Sequence, residues 1–285
     1  MKFEKGWKPI MAELNNFSGS HDYVVSQELM RAVNISIALE KPLLIKGEPG
    51  TGKTALAEAI SKSLNKKLII WSIKSTTKAQ DGLYVYDVVQ RLYDSQFGGE
   101  GVDDIKKYVK LGKLGEAFSA DEQVILLIDE IDKADLEFPN DLLWELDKME
   151  FYIPETKETI KAKQRPIVII TSNAEKELPD AFLRRCIFHY IQFPDQELME
   201  EIVKVHFDNL DETLLQQVLD TFYWIRSLDI NKKPSTSEVI DWIQALQIGG
   251  IDPEIIRKEI PFAGVLLKKN EDLDTLERVK KRFKY

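Results

Sequence analysis

The chain has 285 residues, 44% of them hydrophobic and 31% charged, enough for one large folded domain or two smaller ones. No apolar run approaches the ~18 residues of a membrane span. No apolar signal core follows Met1-Lys2-Phe3-Glu4-Lys5, so a cytoplasmic protein is expected. A net charge of −9 and a pI of about 5.1 weigh against a broad nucleic-acid footprint, and the single Cys186 excludes an intramolecular disulfide.

Residues 1–20 read as irregular. Apolar positions Val24, Val25, Leu29, Val33, Ile37 and Leu39 predict a helix over 24–39, after a turn at His21-Asp22-Tyr23. A short apolar strand over 43–46 runs into the Gly-rich turn Gly47-Glu48-Pro49-Gly50-Thr51-Gly52-Lys53-Thr54. Ala55, Leu56, Ala59, Ile60 and Leu64 then continue with helical spacing. A second strand is expected over 68–73. A long polar stretch follows, with helical patterns at Val85, Val88, Val89 and Leu92, and at Ile105, Tyr108, Val109, Leu114, Ala117 and Phe118. A third strand, over 124–128, is continuously apolar, as a central parallel strand covered on both faces would be.

A helix through Leu142, Leu143, Leu146 and Met149 is expected next. A hairpin of 151–154 with 158–161 follows it, then a fourth strand over 167–171. A short helix after Pro179 ends in Leu183-Arg184-Arg185, and a fifth strand covers 188–193. Everything beyond Pro194 reads as helical, including a capping box at Ser235 and Glu238. The expected organisation is therefore an α/β half, 1–194, and an all-α half, 195–285. Lys53 and Asp129 are 76 positions apart. A helix, strand and helix connection takes roughly 50 residues, so about 20 or more are inserted between the second and third strands.

The turn from Gly47 to Thr54 matches G-x-x-x-x-G-K-[ST] in its proper setting between strand and helix. Glycines there let backbone N–H groups surround phosphate oxygens, and the helix N-terminus adds partial positive charge. Lys53 can reach the β- and γ-phosphates, and the Thr54 hydroxyl can bind Mg²⁺. A Gly-rich connection without a ligand fits the bare pattern but not the flanking periods. Asp129 and Glu130 end a buried strand, where ligands sit in open α/β sheets. Asp129 suits Mg²⁺, and Glu130 suits activation of an attacking water. Asn173, ending the fourth strand, can orient the same water. Arg184 or Arg185 can act as an arginine finger in a neighbouring subunit's site. Tyr23 and Val24, just upstream of the first strand, are candidates to reach the nucleotide base.

Together these residues resemble the AAA+ ATPase family over nearly the whole chain. Gly47 to Thr54 matches Walker A, Leu126-Leu127-Ile128-Asp129-Glu130 matches Walker B, and Asn173 matches sensor 1. Leu183-Arg184-Arg185 looks like the arginine-finger segment. The resemblance implies an AAA+ P-loop NTPase fold: a five-stranded parallel sheet of order 5-1-4-3-2, a C-terminal helical lid, ATP and Mg²⁺ as ligands, and a homo-oligomeric ring, usually a hexamer.

The inserts before the third strand and before the fourth resemble those of MoxR-type ATPases. The segment Pro234-Ser235-Thr236-Ser237-Glu238-Val239-Ile240-Asp241-Trp242 looks like the lid motif of their CoxD-like branch. The sensor 2 Arg of that family falls on Ser237 here, and Lys232 or Lys233 are the substitutes at hand. The resemblance implies a chaperone-like ATPase that matures or activates a protein client, often a metalloenzyme, with a von Willebrand factor A domain partner. Loops around Gly82-Leu83-Tyr84 and Phe97-Gly98-Gly99 would contact the client, or Tyr84 would pack in the core. Two other classes also fit a P-loop chain: a nucleic-acid motor or restriction-type GTPase, and a nucleotide-gated scaffold.

Overall fold

The computed structural model describes residues 17–20, 23–98, 101–173 and 175–282. Residues 1–16, His21, Asp22, Gly99 and Glu100, which carry parts of the expected turns and loops, lie outside them. By contact the chain forms two units. Of the described residues, the first holds those up to 20 with those of 25–46 and 53–191; the second holds 23, 24, 47–52 and those from 192 on.

The first unit is built around a five-stranded sheet of β1 (Leu43–Gly47), β2 (Leu68–Ser72), β5 (Ile125–Asp129), β8 (Ile167–Ser172) and β9 (Ile187–Ile191). Their order is β2-β5-β8-β1-β9. Counting only these five strands in chain order, the same sequence of neighbours reads 5-1-4-3-2 from the β9 edge. The labels shift because two separate ribbons intervene, β3 (Tyr84–Tyr86) with β4 (Val109–Leu111) and β6 (Glu150–Ile153) with β7 (Glu158–Lys161). β2–β5, β5–β8 and β8–β1 are parallel ladders, with Ile128 level with Ile170 and Lys46 level with Ser172. All six residues of β8 are buried, and so is β5 up to Asp129. Covering both faces of a central strand demands the apolar runs 125–128 and 167–170. The same parallel pairing brings the C-terminal ends of β1, β5 and β8 side by side.

α1 (Gln27–Ala38) is shorter than the 24–39 helix expected, because the Ser26 hydroxyl accepts the Leu29 N–H at 3.2 Å and caps it. α2 (Lys53–Leu64) follows the Gly-rich turn. Val85 lies in β3 rather than in the helix its spacing suggested; that helix begins only after Asp87 caps Gln90. The span from Ile105 to Phe118 divides into a 3₁₀ turn, β4 and α5 (Lys113–Phe118), after α3 (Ala79–Leu83) and α4 (Val88–Phe97). The helix expected through Leu142 breaks into α6 (Phe138–Asp141) and α7 (Leu143–Lys148), and Met149 ends it in a left-handed turn at φ +53°. α8 (Asp180–Leu183) precedes β9.

Tyr84 packs rather than projects. Its ring stacks on Phe151 at 6.2 Å and its hydroxyl donates to Glu155 at 2.9 Å. Gly82 is needed for close approach, since a Cβ there would lie 2.2 Å from the Trp71 ring. α4 is the opposite case. Its polar side faces inward, where Arg91 donates to the Tyr86 hydroxyl and Asp94 accepts from that of Tyr108. Its apolar residues Val88, Val89, Leu92, Tyr93 and Phe97 face outward, with Val89 81% exposed. A surface helix normally turns that stripe toward the core.

The second unit contains α9 (Gln196–His206), α10 (Glu212–Ser227), α11 (Thr236–Ile248), α12 (Pro253–Glu259), α13 (Ala263–Leu266) and α14 (Asn270–Arg282). They bury a core centred on Phe222, Ile225, Trp242 and Ile243. The Trp242 indole N–H is satisfied by Pro261 O at 2.7 Å. Phe193 packs beside Phe222 in this core, so β9 ends at Ile191 rather than at 193. The capping box of α11 forms, with the Ser235 N–H donating to Glu238 at 2.6 Å.

Candidate functional site

In the second unit, Gly47, Glu48, Pro49, Gly50, Thr51 and Gly52 make the turn between β1 and α2. Gly50 and Gly52 take φ of +75° and +79°, conformations in which L side chains are strained. Space also requires glycine: a Cβ on Gly50 would sit 2.4 Å from Ser235 Cβ, and one on Gly52 would press on the Tyr23 ring at 3.3 Å. The Thr51 hydroxyl closes the turn by donating to Glu48 O at 2.9 Å. Tyr23 therefore stands against the Gly-rich turn, and burial pushes its phenol well above its ordinary pKa. Val24 belongs to the same short segment and is half-buried.

Glu48 accepts from Arg226 at 2.9 Å. The same guanidinium donates to Pro234 O and lies over the Phe193 ring at 3.3 Å, with a side chain only 11% exposed. Sequence reasoning missed Arg226. A cation closing an apolar helical stripe reads as an ordinary helix-end charge, and no spacing rule links positions 178 apart. Ser237 is exposed in the first turn of α11. Lys232 pairs with Glu238 at 3.3 Å, and Lys233 is exposed.

In the first unit, Lys53 opens α2 and is buried to 7% exposure, while Thr54 and Ala55 beside it are exposed. Thr54 Oγ1 donates to the Asp129 carboxylate, 3.2 and 3.3 Å from its two oxygens. Thr171, fully buried on the neighbouring strand, donates to Asp129 Oδ1 at 2.6 Å and accepts the Glu130 N–H at 2.8 Å. Glu130 itself is left-handed at φ +58°, a non-glycine strain of about 1–3 kcal/mol that surrounding bonds must hold in place. Asn173 Nδ2 donates to Glu130 Oε1 at 2.9 Å, and the Lys133 ammonium takes Glu130 Oε2. That hydrogen bond to the Glu130 carboxylate holds the Lys133 pKa above its ordinary value. Asp132 is 3% exposed and accepts the backbone N–H groups of Asn173 and Glu175.

Lys53, Thr54, Asp129, Glu130 and Asn173 thus all lie in one unit, and hydrogen bonds link the last four. Thr171, Asp132 and Lys133 join them although the sequence did not single them out. Thr171 reads there as one more β-branched strand residue, and Asp132 as a solvated charge in a turn. The arginine pair behaves differently. Arg185 donates to Asp147 at 2.7 Å and to Ala181 O at 2.8 Å. Arg184 is exposed at the end of α8, and among the described residues its side chain has no partner.

The chain matches a family described as AAA domain (dynein-related subfamily) over residues 42–186, just over half its length. It is 25% identical over 231 residues to the pachytene checkpoint protein 2 homolog of Canis lupus familiaris, which covers 76% of this chain and 50% of that protein. It is 38% identical over 56 residues to midasin of Dictyostelium discoideum, which covers 20% of this chain and 1% of midasin. The chain therefore spans half or less of these curated relatives. Among solved structures, a Thermotoga maritima RuvB mutant shares the fold with a TM-score of 0.54 at 16% identity, over 91% of this chain and 72% of that one.

Proposed function

Since the chain belongs to the AAA domain family, in its dynein-related subfamily, we propose that it is an Mg²⁺-dependent ATPase that couples ATP binding and hydrolysis to remodelling, activation or maturation of a protein client. The observation that carries this reading is the bonded series Thr54–Asp129–Thr171–Glu130–Asn173 within the first unit, a hydroxyl, two carboxylates and an amide of the kinds that metal binding, proton transfer and water orientation require.

The donor set suits Mg²⁺, because a hydroxyl and a carboxylate are the hard oxygen ligands it prefers and they already meet at Thr54 and Asp129. Held by Thr54 and Asp129, Mg²⁺ would supply neutralisation of phosphate charge. The chain's own residues do the rest. Backbone N–H groups of the 47–52 turn hold the phosphates, and Lys53 places a cation against the transferring group. Glu130 accepts a proton from water as it attacks, and Asn173 fixes the direction of the carboxylate that takes it. Tyr23 and Val24 flank the nucleotide base.

Several finer features extend the reading. The β3–α4–β4 insert and the β6–β7 hairpin support a MoxR-type ATPase, and the segment 234–242 supports its CoxD-like branch. Residues 1–194 are read as its nucleotide-binding domain and 195–285 as its all-α lid domain. The chain works in the cytoplasm as a ring, most simply of six copies, with a von Willebrand factor A domain partner, and metal-cofactor insertion into the client belongs to the same reading. The outward apolar side of α4 supports a protein client over nucleic acid, as does the net charge of −9. Arg184 is the better finger, because Asp147 already engages Arg185.

The test is phosphate release by purified protein with ATP or GTP and Mg²⁺, with and without DNA and with and without a candidate partner. Hydrolysis of neither nucleotide under any condition removes the enzyme reading. Turnover that depends on DNA replaces the protein client with a nucleic-acid one.

A further inference from the structure

Asp132 sits two positions after Glu130, in the 3₁₀ turn Ile131–Lys133, and is almost wholly buried. A carboxylate taken from water is costly unless its oxygens are met by donors. Here both are met by one loop. Oδ1 accepts the Asn173 N–H at 3.2 Å, and Oδ2 accepts the Glu175 N–H at 2.9 Å. These are the backbone donors the chain presents as it leaves β8.

The bonds close a small ring of structure. Glu130 and Asp132 lie on one turn. Asn173 is bound to that turn twice, by its side chain to Glu130 Oε1 at 2.9 Å and by its backbone to Asp132. Without the backbone bonds, the Asn173 side chain would be carried by a loop free to shift against Glu130. With them, the angle at which Asn173 meets the Glu130 carboxylate is set by a buried anchor.

We propose that Asp132 is a positioning residue for hydrolysis, acting through the backbone of Asn173 and Glu175 to hold Asn173 against Glu130. The inference rests on the ATPase reading above. A purely structural Asp132 would instead support folding and nucleotide binding alike, with no separate effect on turnover.

Asp132→Asn keeps the shape but turns an N–H donor toward one of the two backbone N–H groups. Glu175→Pro attacks the same clamp from the exposed side, by deleting an N–H that Asp132 accepts. Both variants are compared with the parent in ATP turnover and in equilibrium binding of a fluorescent ATP analogue. The expected result is a kcat lowered about 10- to 100-fold, with KM and analogue affinity within about threefold of the parent. Adding Asn173→Ala to Asp132→Asn is expected to lower kcat no further than the worse single variant, because both changes break one device. Parent-like kcat in both variants, matched losses of kcat and analogue binding, or losses that multiply in the double variant overturn the proposal. If Asp132→Asn does not fold, Glu175→Pro decides by the same readings. A parent that binds the analogue and never turns ATP over defeats the ATPase reading and this role with it, an outcome distinct from an active parent with unaffected variants.

Discussion

Asn173 and Glu130, 43 positions apart, meet through a hydrogen bond of 2.9 Å from side-chain amide to carboxylate. The bond exists because β5 and β8 are adjacent parallel strands whose C-terminal ends lie level. It leaves the Glu130 carboxylate oriented by a neutral donor and paired, on its other oxygen, with the exposed ammonium of Lys133.

Glu130→Gln keeps the Asn173 contact through its side-chain oxygen but cannot take a proton. Turnover is expected to fall about 10²- to 10⁴-fold with ATP still bound. Lys53→Ala is expected to abolish binding, because it removes the cation from the phosphate loop. Filter retention of labelled ATP separates the two, and rapid release of ATP by the Gln variant would contradict its role.

Arg184→Ala is expected to bind ATP and to lose about 10³-fold or more in kcat, the scale of an arginine finger. Mixing it with Lys53→Ala protein, which still carries Arg184, is expected to restore activity at mixed interfaces. Arg185→Ala breaks a half-exposed pair with Asp147 worth about 0–1 kcal/mol, and is expected to retain turnover. The reverse pattern in the mixing assay would reassign the finger to Arg185.

Arg226→Ala removes the bonds to Glu48 and Pro234 and the stacking on Phe193 together. A loss of about 2–3 kcal/mol in urea unfolding is expected. Glu48→Gln leaves the Pro234 and Phe193 contacts in place, and its cost is expected below about 1 kcal/mol. Equal losses from the two would mean that the ion pair alone carries the stabilisation.

Glu238 supplies the pH dependence. Burial disfavours its charge, but the Ser235 backbone and hydroxyl and the Lys232 ammonium outweigh burial and hold its pKa below the ordinary 4.5. The unfolded chain therefore binds this proton at higher pH than the folded one. The stabilisation is complete above about pH 4.5 and is lost as pH falls from there through the lower folded value. In urea melts, parent and Glu238→Gln are expected to differ most at neutral pH and to converge as pH falls below 4.5 through the lower folded value. A gap that widens on acidification would contradict the assignment.

Much of the site was legible in the sequence because it is local. Gly47 to Thr54 announces itself by a strand period, a glycine turn and a helix period in direct succession, and Asp129-Glu130 by five apolar residues before two carboxylates. The breaks at Val85, Leu142 and Phe193 were not legible. Apolar spacing there fits a continuing element equally well, and only a cap, a left-handed residue or a second core ends it. Tyr84 shows the same limit, since a Gly next to an aromatic reads as a loop until Trp71 and Phe151 are seen around it.

By itself the sequence determined the residue types that chemistry requires and the strands that present them, since both depend on neighbours within a few positions. Only the tertiary structure decided which groups are held by which. Thr171 reaches Asp129 across a strand pair, Asp132 takes up the backbone after β8, Arg226 reaches Glu48 from α10, and α4 turns its apolar side outward. Each depends on parts of the chain brought together by folding, through short-range hydrogen bonds and packing that periodicity along the sequence does not encode.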